Sequence, residues 1–224
     1  MRGASLKYTW LTYRRDQLWF PLAFLVFFMV AIVVMHHPAI RFTLARAYLG
    51  FIVPLTGGIL AAYAVLDDPA LELRFAAPVR PGQTLLTRVG LILSVQTACA
   101  IVFQLFVIAL GVELSPLGGV LGVQLAWFLP ALFLATVGTA GSLASAQTSV
   151  GAFLAGAVWL VHVMMKGWLE ANAKYAYLFM GVLVPGHPDL LINQAVLLAA
   201  SAALLFLSWM LLRRQERFLG AGAS

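Results

Sequence analysis

Long apolar runs separated by short polar stretches dominate the chain. Leu18–Met35, Ala47–Leu66 and Val89–Val112 each lack Asp, Glu, Lys and Arg. A further charge-free stretch, Leu114–Met165, is too long for one crossing, and the polar patch Ser142-Leu-Ala-Ser-Ala-Gln-Thr-Ser149 divides it. The last run is Leu190–Leu212. A bilayer core takes about 20 mostly apolar residues per helix. The pattern therefore predicts an all-α integral membrane protein with six transmembrane helices, near residues 18–35, 47–66, 89–112, 117–143, 150–165 and 190–212. They form a single transmembrane domain over 1–224. Barrel strands would alternate in polarity along each run, and these runs do not.

Two segments fit no simple crossing. Leu6–Leu18 mixes Trp10, Leu11, Tyr13 and Leu18 with Lys7, Arg14 and Arg15. That mixture predicts an N-terminal amphipathic helix at the membrane interface. Tyr175–Val184, ending in Pro185-Gly-His-Pro188, is apolar but too short to cross at about 1.5 Å per residue. It reads as a short external or re-entrant segment between helices 5 and 6, or as a connector lying on the surface. Irregular backbone at membrane depth is tolerated only where protein buries it or it lines a cavity. The re-entrant version marks a gate, with Tyr175, Tyr177 and Phe179 as candidate residues.

Composition narrows the class. Of 224 residues, 62% are apolar and 10% charged, against roughly 45–50% and 25% in soluble domains. This balance excludes a secreted domain, a cytosolic enzyme and a disordered regulator. The net charge of +6 does not point to nucleic acid, because the basic residues flank the apolar runs. Ten of the 14 Lys and Arg fall on one side: Arg2, Lys7, Arg14 and Arg15, then Arg74, Arg80 and Arg88, then Arg213, Arg214 and Arg217. Basic residues accumulate on the cytoplasmic side. The expectation is a multi-pass protein of the cell (inner or plasma) membrane with both termini cytoplasmic, its first span an uncleaved anchor. The single cysteine, Cys99, sits in an apolar run and reads as a small packing residue.

No predicted span holds Asp, Glu, Lys or Arg in its middle third, where ion-coupled transporters place such groups. Neither H-E-x-x-H nor the P-loop G-x-x-x-x-G-K-[ST] occurs, so the chain reads as a non-enzyme without metal or catalytic residues. His36 and His37 diverge by about 100° on a helix. His162, alone in its span, reads as a packing or hydrogen-bonding residue. Gly118, Gly122, Gly138, Gly141, Gly151 and Gly156 read as close helix contacts. Gln96 and Gln104 share one helix face and either line a pathway or bond neighbouring helices.

The most informative segment is the loop 67–88. Leu71-Glu72-Leu73, then Pro78-Val79-Arg80, then Arg88 follow one another in it. This order resembles the ABC-2 type transporter permeases, which carry after the second span an acidic residue, a short Leu/Glu-rich helix, a Pro-Val-basic step and a basic residue at the next span. The glycine-rich run Gly138-Thr-Ala-Gly-Ser142 and the last span with its basic tail also look like that family. Pro69-Ala70 stands where the family has glycine, and Arg74-Phe75 where it has aliphatics. The resemblance implies the permease subunit of an ATP-driven exporter. Its pathway would form between this chain and a second permease copy or similar chain. Glu72, Leu73, Arg74, Pro78, Val79 and Arg80 would dock, as a coupling helix, on a separate nucleotide-binding subunit that holds ATP and Mg. The lipid bilayer is the remaining partner. The competing reading is a non-transporting membrane anchor or assembly subunit of another complex.

Overall fold

The computed structural model describes residues 15–67 and 81–213. Among the described residues the regular structure is entirely helical, without strands. The elements are α1 (Arg15–Val34), α2 (Pro38–Ala47), a π-helical segment (Tyr48–Ile52), α3 (Val53–Tyr63), α4 (Pro81–Ala109), α5 (Gly119–Ser145), α6 (Thr148–Met164), α7 (Lys166–Asn172), α8 (Met180–Leu183) and α9 (Leu190–Leu212). Short 3₁₀ turns occupy Ser115–Leu117 and Lys174–Ala176.

Among the described residues, four stretches are long and apolar enough to cross a bilayer: Pro38–Tyr63, Gly82–Ala109, Gly119–Ser145 and Leu190–Leu212. The helices α6 and α7 reach that length and apolarity only as a pair, and they are bent by 82°, whereas Leu18–Val34 is apolar but shorter. Helices satisfy their own backbone groups, so a bundle of this kind is stable in lipid, and the protein is membrane-embedded. The loops 67–88 and 36–46 come out shorter than their sequence suggests. The chain is already helical at Pro81, so Arg88 lies at least about 10 Å inside α4 and is 5% exposed. Pro38 opens α2, because its fixed φ suits a first helical position. Most of the interfacial segment 6–18, the loop residues 68–80 and the tail beyond 213 lie outside the described residues.

In helices that are apolar all round, packing selects the inner stripe. On α1, Leu25, Phe28 and Ile32 are buried, while Trp19, Val26, Phe27, Val30 and Val33 face outward, as lipid requires. On α4 the buried stripe runs Leu85, Val89, Ile92, Gln96, Ala100, Phe103 and Val107. At the centre α5 packs against α3, α6 and α9.

Small residues set the spacing at its centre. A Cβ on Gly138 would strike Gly58 O, and one on Gly151 would lie 2.7 Å from Ser142 N and strike Gly138 O. Backbone therefore meets backbone where α3, α5 and α6 cross. Two hydroxyls tie the same crossing: Thr139 Oγ1 donates to Ala61 O at 3.2 Å and Ser142 Oγ to Ala62 O at 2.7 Å. Between α5 and α6 the chain turns at Ala146, in the left-handed region at φ 57°.

The second crossing carries a local widening. Val53 N–H bonds Tyr48 O, five residues back, directly before Pro54. Proline lacks an N–H and its ring crowds the carbonyl four residues earlier, so a wider turn relieves it. The widening puts Tyr48, Leu49 and Gly50 in a row against the interior.

Candidate functional site

The connector between α6 and α9 is the most elaborately held part of the molecule. α6 ends at Met164, and after the bend α7 leads into the turn Lys174–Ala176. The chain then runs inward. Tyr177, Leu178, Phe179, Met180 and Val182 are all buried, so the segment is no surface connector.

Its seat is built from three helices. A Cβ on Gly50, in the π segment, would lie 2.5 Å from Val182 Cγ1, and a Cβ on Gly181 3.2 Å from Ala126 Cα of α5. The Phe179 ring sits 4.6 Å from Phe51 and 6.5 Å from Trp159, centroid to centroid. Trp159 Nε1 donates to Phe51 O at 3.0 Å, joining α6 to the widened turn. Phe179 is thus a packed wedge, which is what its aromatic area achieves best.

Polar groups then fix the path of the backbone. Asn193, in the first turn of α9 and 1% exposed, points Nδ2 at the carbonyls of Lys174 (3.0 Å), Tyr175 (3.1 Å) and Tyr177 (2.9 Å). A carboxamide carries two N–H donors, so three acceptors share them. Lys174 Nζ pairs with Asp189 Oδ2 at 2.5 Å, and that hydrogen bond holds the lysine pKa above its ordinary value. His187 Nδ1 accepts the Asp189 N–H at 3.1 Å. His162 lies between Val158 O (2.8 Å) and Ala176 O (3.2 Å), parallel to the Tyr177 ring. A neutral ring donates to only one of these carbonyls.

Tyr177 Oη is the exception: it is buried and makes no hydrogen bond among the described residues. Burial first, then the Glu170 carboxylate, push this hydroxyl up to about 12.

The proposed pathway residues fall into different settings. Gln96 is 1% exposed and bonds Thr56 of α3, Nε2 to Oγ1, at 3.2 Å. Gln104 is paired with Gln124 of α5, whose Nε2 donates to Gln104 Oε1 at 2.6 Å. Trp127 Nε1 donates to Gln124 Oε1 at 3.0 Å. Both glutamines therefore join helices, and Gln104 also borders an open cavity. Tyr175 is exposed, whereas Tyr177 and Phe179 are enclosed in the connector. Glu72, Leu73, Arg74, Pro78, Val79 and Arg80 lie outside the described residues.

Asn193, Trp159 and Gly50 were not singled out by the sequence pattern. A lone Asn in the first turn of an apolar helix is a usable signal, since a buried amide in lipid needs partners. Among the described residues no cluster of three or more His, Cys, Asp or Glu is placed to hold a metal. No family model, no curated protein and no solved structure matches the chain.

Proposed function

We propose that this chain is the permease subunit of an ATP-driven exporter of the ABC-2 type. It crosses the membrane six times, with both termini in the cytoplasm. In this reading α1 and the bent α6–α7 pair supply two of the six crossings. The pathway forms with a second permease chain, and a separate nucleotide-binding subunit supplies ATP hydrolysis with Mg.

The observation that carries the reading is the segment 67–88. It leaves α3 and enters α4 at the end of the bundle where α9 finishes, since a Cβ on Gly82 would lie 2.9 Å from Trp209 Cδ1. Its residues Glu72, Leu73, Arg74, Pro78, Val79 and Arg80 stand in the order of a coupling helix. Such a loop acts as a lever when ATP favours one arrangement of a two-state assembly. In an exporter of this kind the buried connector between α6 and α9 serves as the outer gate.

The test is co-purification from native membranes. The wild-type chain brings down an ATPase, and neutralising Glu72 and Arg74 together abolishes both that association and transport. Retention of both refutes the docking assignment. Association with a complex lacking any ATPase favours the anchor reading instead. A cysteine introduced at position 76 resists impermeant thiol reagents in intact cells, and its ready labelling from outside overturns the orientation.

A further inference from the structure

The C-terminal end of α4 and the N-terminal end of α5 border an open cavity of about 510 Å³, away from the connector. Ile108, Val112, Leu114, Val120 and Val123 make its walls. The Gln104–Gln124 amide pair lies about 7.5 Å below the two helix ends, being five residues from Ala109 and from Gly119. Glu113 and Ser115 border the mouth.

Three observations bear on what fits there. Gly111 and Gly119 hold φ of 74° and 71°, and nothing lies within 4 Å of a Cβ on either, so the mouth is open. Glu113 is exposed and makes no ion pair or hydrogen bond among the described residues. The amides have spare capacity: each NH₂ has a second hydrogen beyond the mutual bonds at 2.6 and 3.4 Å. An apolar chamber with few convergent polar groups is the usual form of a small-molecule site. A cavity of about 150 Å³ takes benzene, so on the order of 20 non-hydrogen atoms fit here.

We infer that this cavity binds a cationic amphiphile, an amine or quaternary ammonium with an apolar tail. The apolar tail fills the chamber between α4 and α5, and the cation pairs with the Glu113 carboxylate at the mouth. A polar atom at the buried end takes a free amide hydrogen of Gln104 or Gln124. An anionic amphiphile meets the carboxylate at the mouth and is disfavoured. The site does not depend on the transport reading.

The experiment uses the full chain in nanodiscs, with empty nanodiscs as the partition control. The probes are decyltrimethylammonium, decanol and decyl sulfate, each radiolabelled. Decyltrimethylammonium binds saturably at one site per chain above the control, and decyl sulfate does not. Glu113→Gln, at an exposed position, weakens the cationic probe about fivefold, the scale of one exposed ion pair, and leaves decanol unchanged. Ile108→Trp, at a position that lines the cavity without being buried, narrows it and weakens saturable binding of both decanol and the cation. Binding no greater than in empty nanodiscs, equal binding of decyl sulfate, or full affinity in the Glu113→Gln variant each overturns the site.

Discussion

Replacing Gly151 by Ala tests whether α3, α5 and α6 are held by backbone contact. The added Cβ lies 2.7 Å from Ser142 N, whereas ordinary contact begins near 3.4 Å. The helices must separate by at least 0.7 Å, because the opposing atoms include backbone and have no rotamer to change. A gap of about 0.5–1 Å forfeits a quarter to a half of each van der Waals well it opens. The same Cβ overlaps Ser142 Oγ and turns it off Ala62 O, a bond of 2.7 Å, at about 0.6 kcal/mol for such a bond in a membrane protein. With an overpacking cost of about 1–3 kcal/mol, the expected destabilisation is roughly 2–3 kcal/mol. Gly156→Ala, in the same helix with nothing within 4 Å, is the matched control. It is neutral or stabilising, because Ala is the better helix former by up to about 1 kcal/mol. The assay is reversible unfolding in mixed micelles with rising SDS, followed by circular dichroism. If both variants unfold at the same SDS fraction, backbone contact does not govern this crossing.

Other outcomes follow from the connector. Asn193→Ala strips three carbonyls of their donor and costs about 1–3 kcal/mol; limited proteolysis of the purified protein then cuts within 174–184, where the parent resists. Tyr177→Phe removes a buried hydroxyl without a partner, and stability rises by about 1 kcal/mol on the same SDS titration. The Tyr177 pKa is raised on folding, so its protonated form is favoured in the native state. That contribution is complete below about pH 10, the ordinary tyrosine value, and is lost as pH rises toward 12. The parent therefore loses stability over that window more steeply than Tyr177→Phe, by up to one proton in the linkage slope. Lys174→Met removes an ion pair that is 37% exposed on the lysine side; its effect on the SDS midpoint is small, and raised salt narrows the difference.

The membrane-embedded helical class was legible because charge-free runs of bilayer length have no other stable home. The inner faces were not. On α1 every position from Leu18 to Val34 is uncharged, and only the neighbours of Leu25, Phe28 and Ile32 decide which stripe turns inward. The pairing of Gln104 with Gln124 had a faint trace, two amides equally deep in consecutive helices. The seat of the connector had none, for Val182 reaches Gly50 across more than a hundred residues of chain. Pro38 and Pro81 were visible, yet apolarity alone does not reveal that a helix starts several residues before its greasy part.

The π turn at Tyr48–Ile52 gives the second crossing one residue more than ordinary winding would hold. A π turn takes about one residue more than an α turn, so deleting one residue between Tyr48 and Ile52 would restore ordinary winding and leave α2 and α3 in nearly the same rotational register. The loss would be local. Tyr48, stacked 4.1 Å from Phe103, and Gly50, with its bare edge against Val182, stand in a row of three inward residues that ordinary winding does not keep. The spare residue is absorbed where it sits, and the rod on either side of it carries on undisturbed.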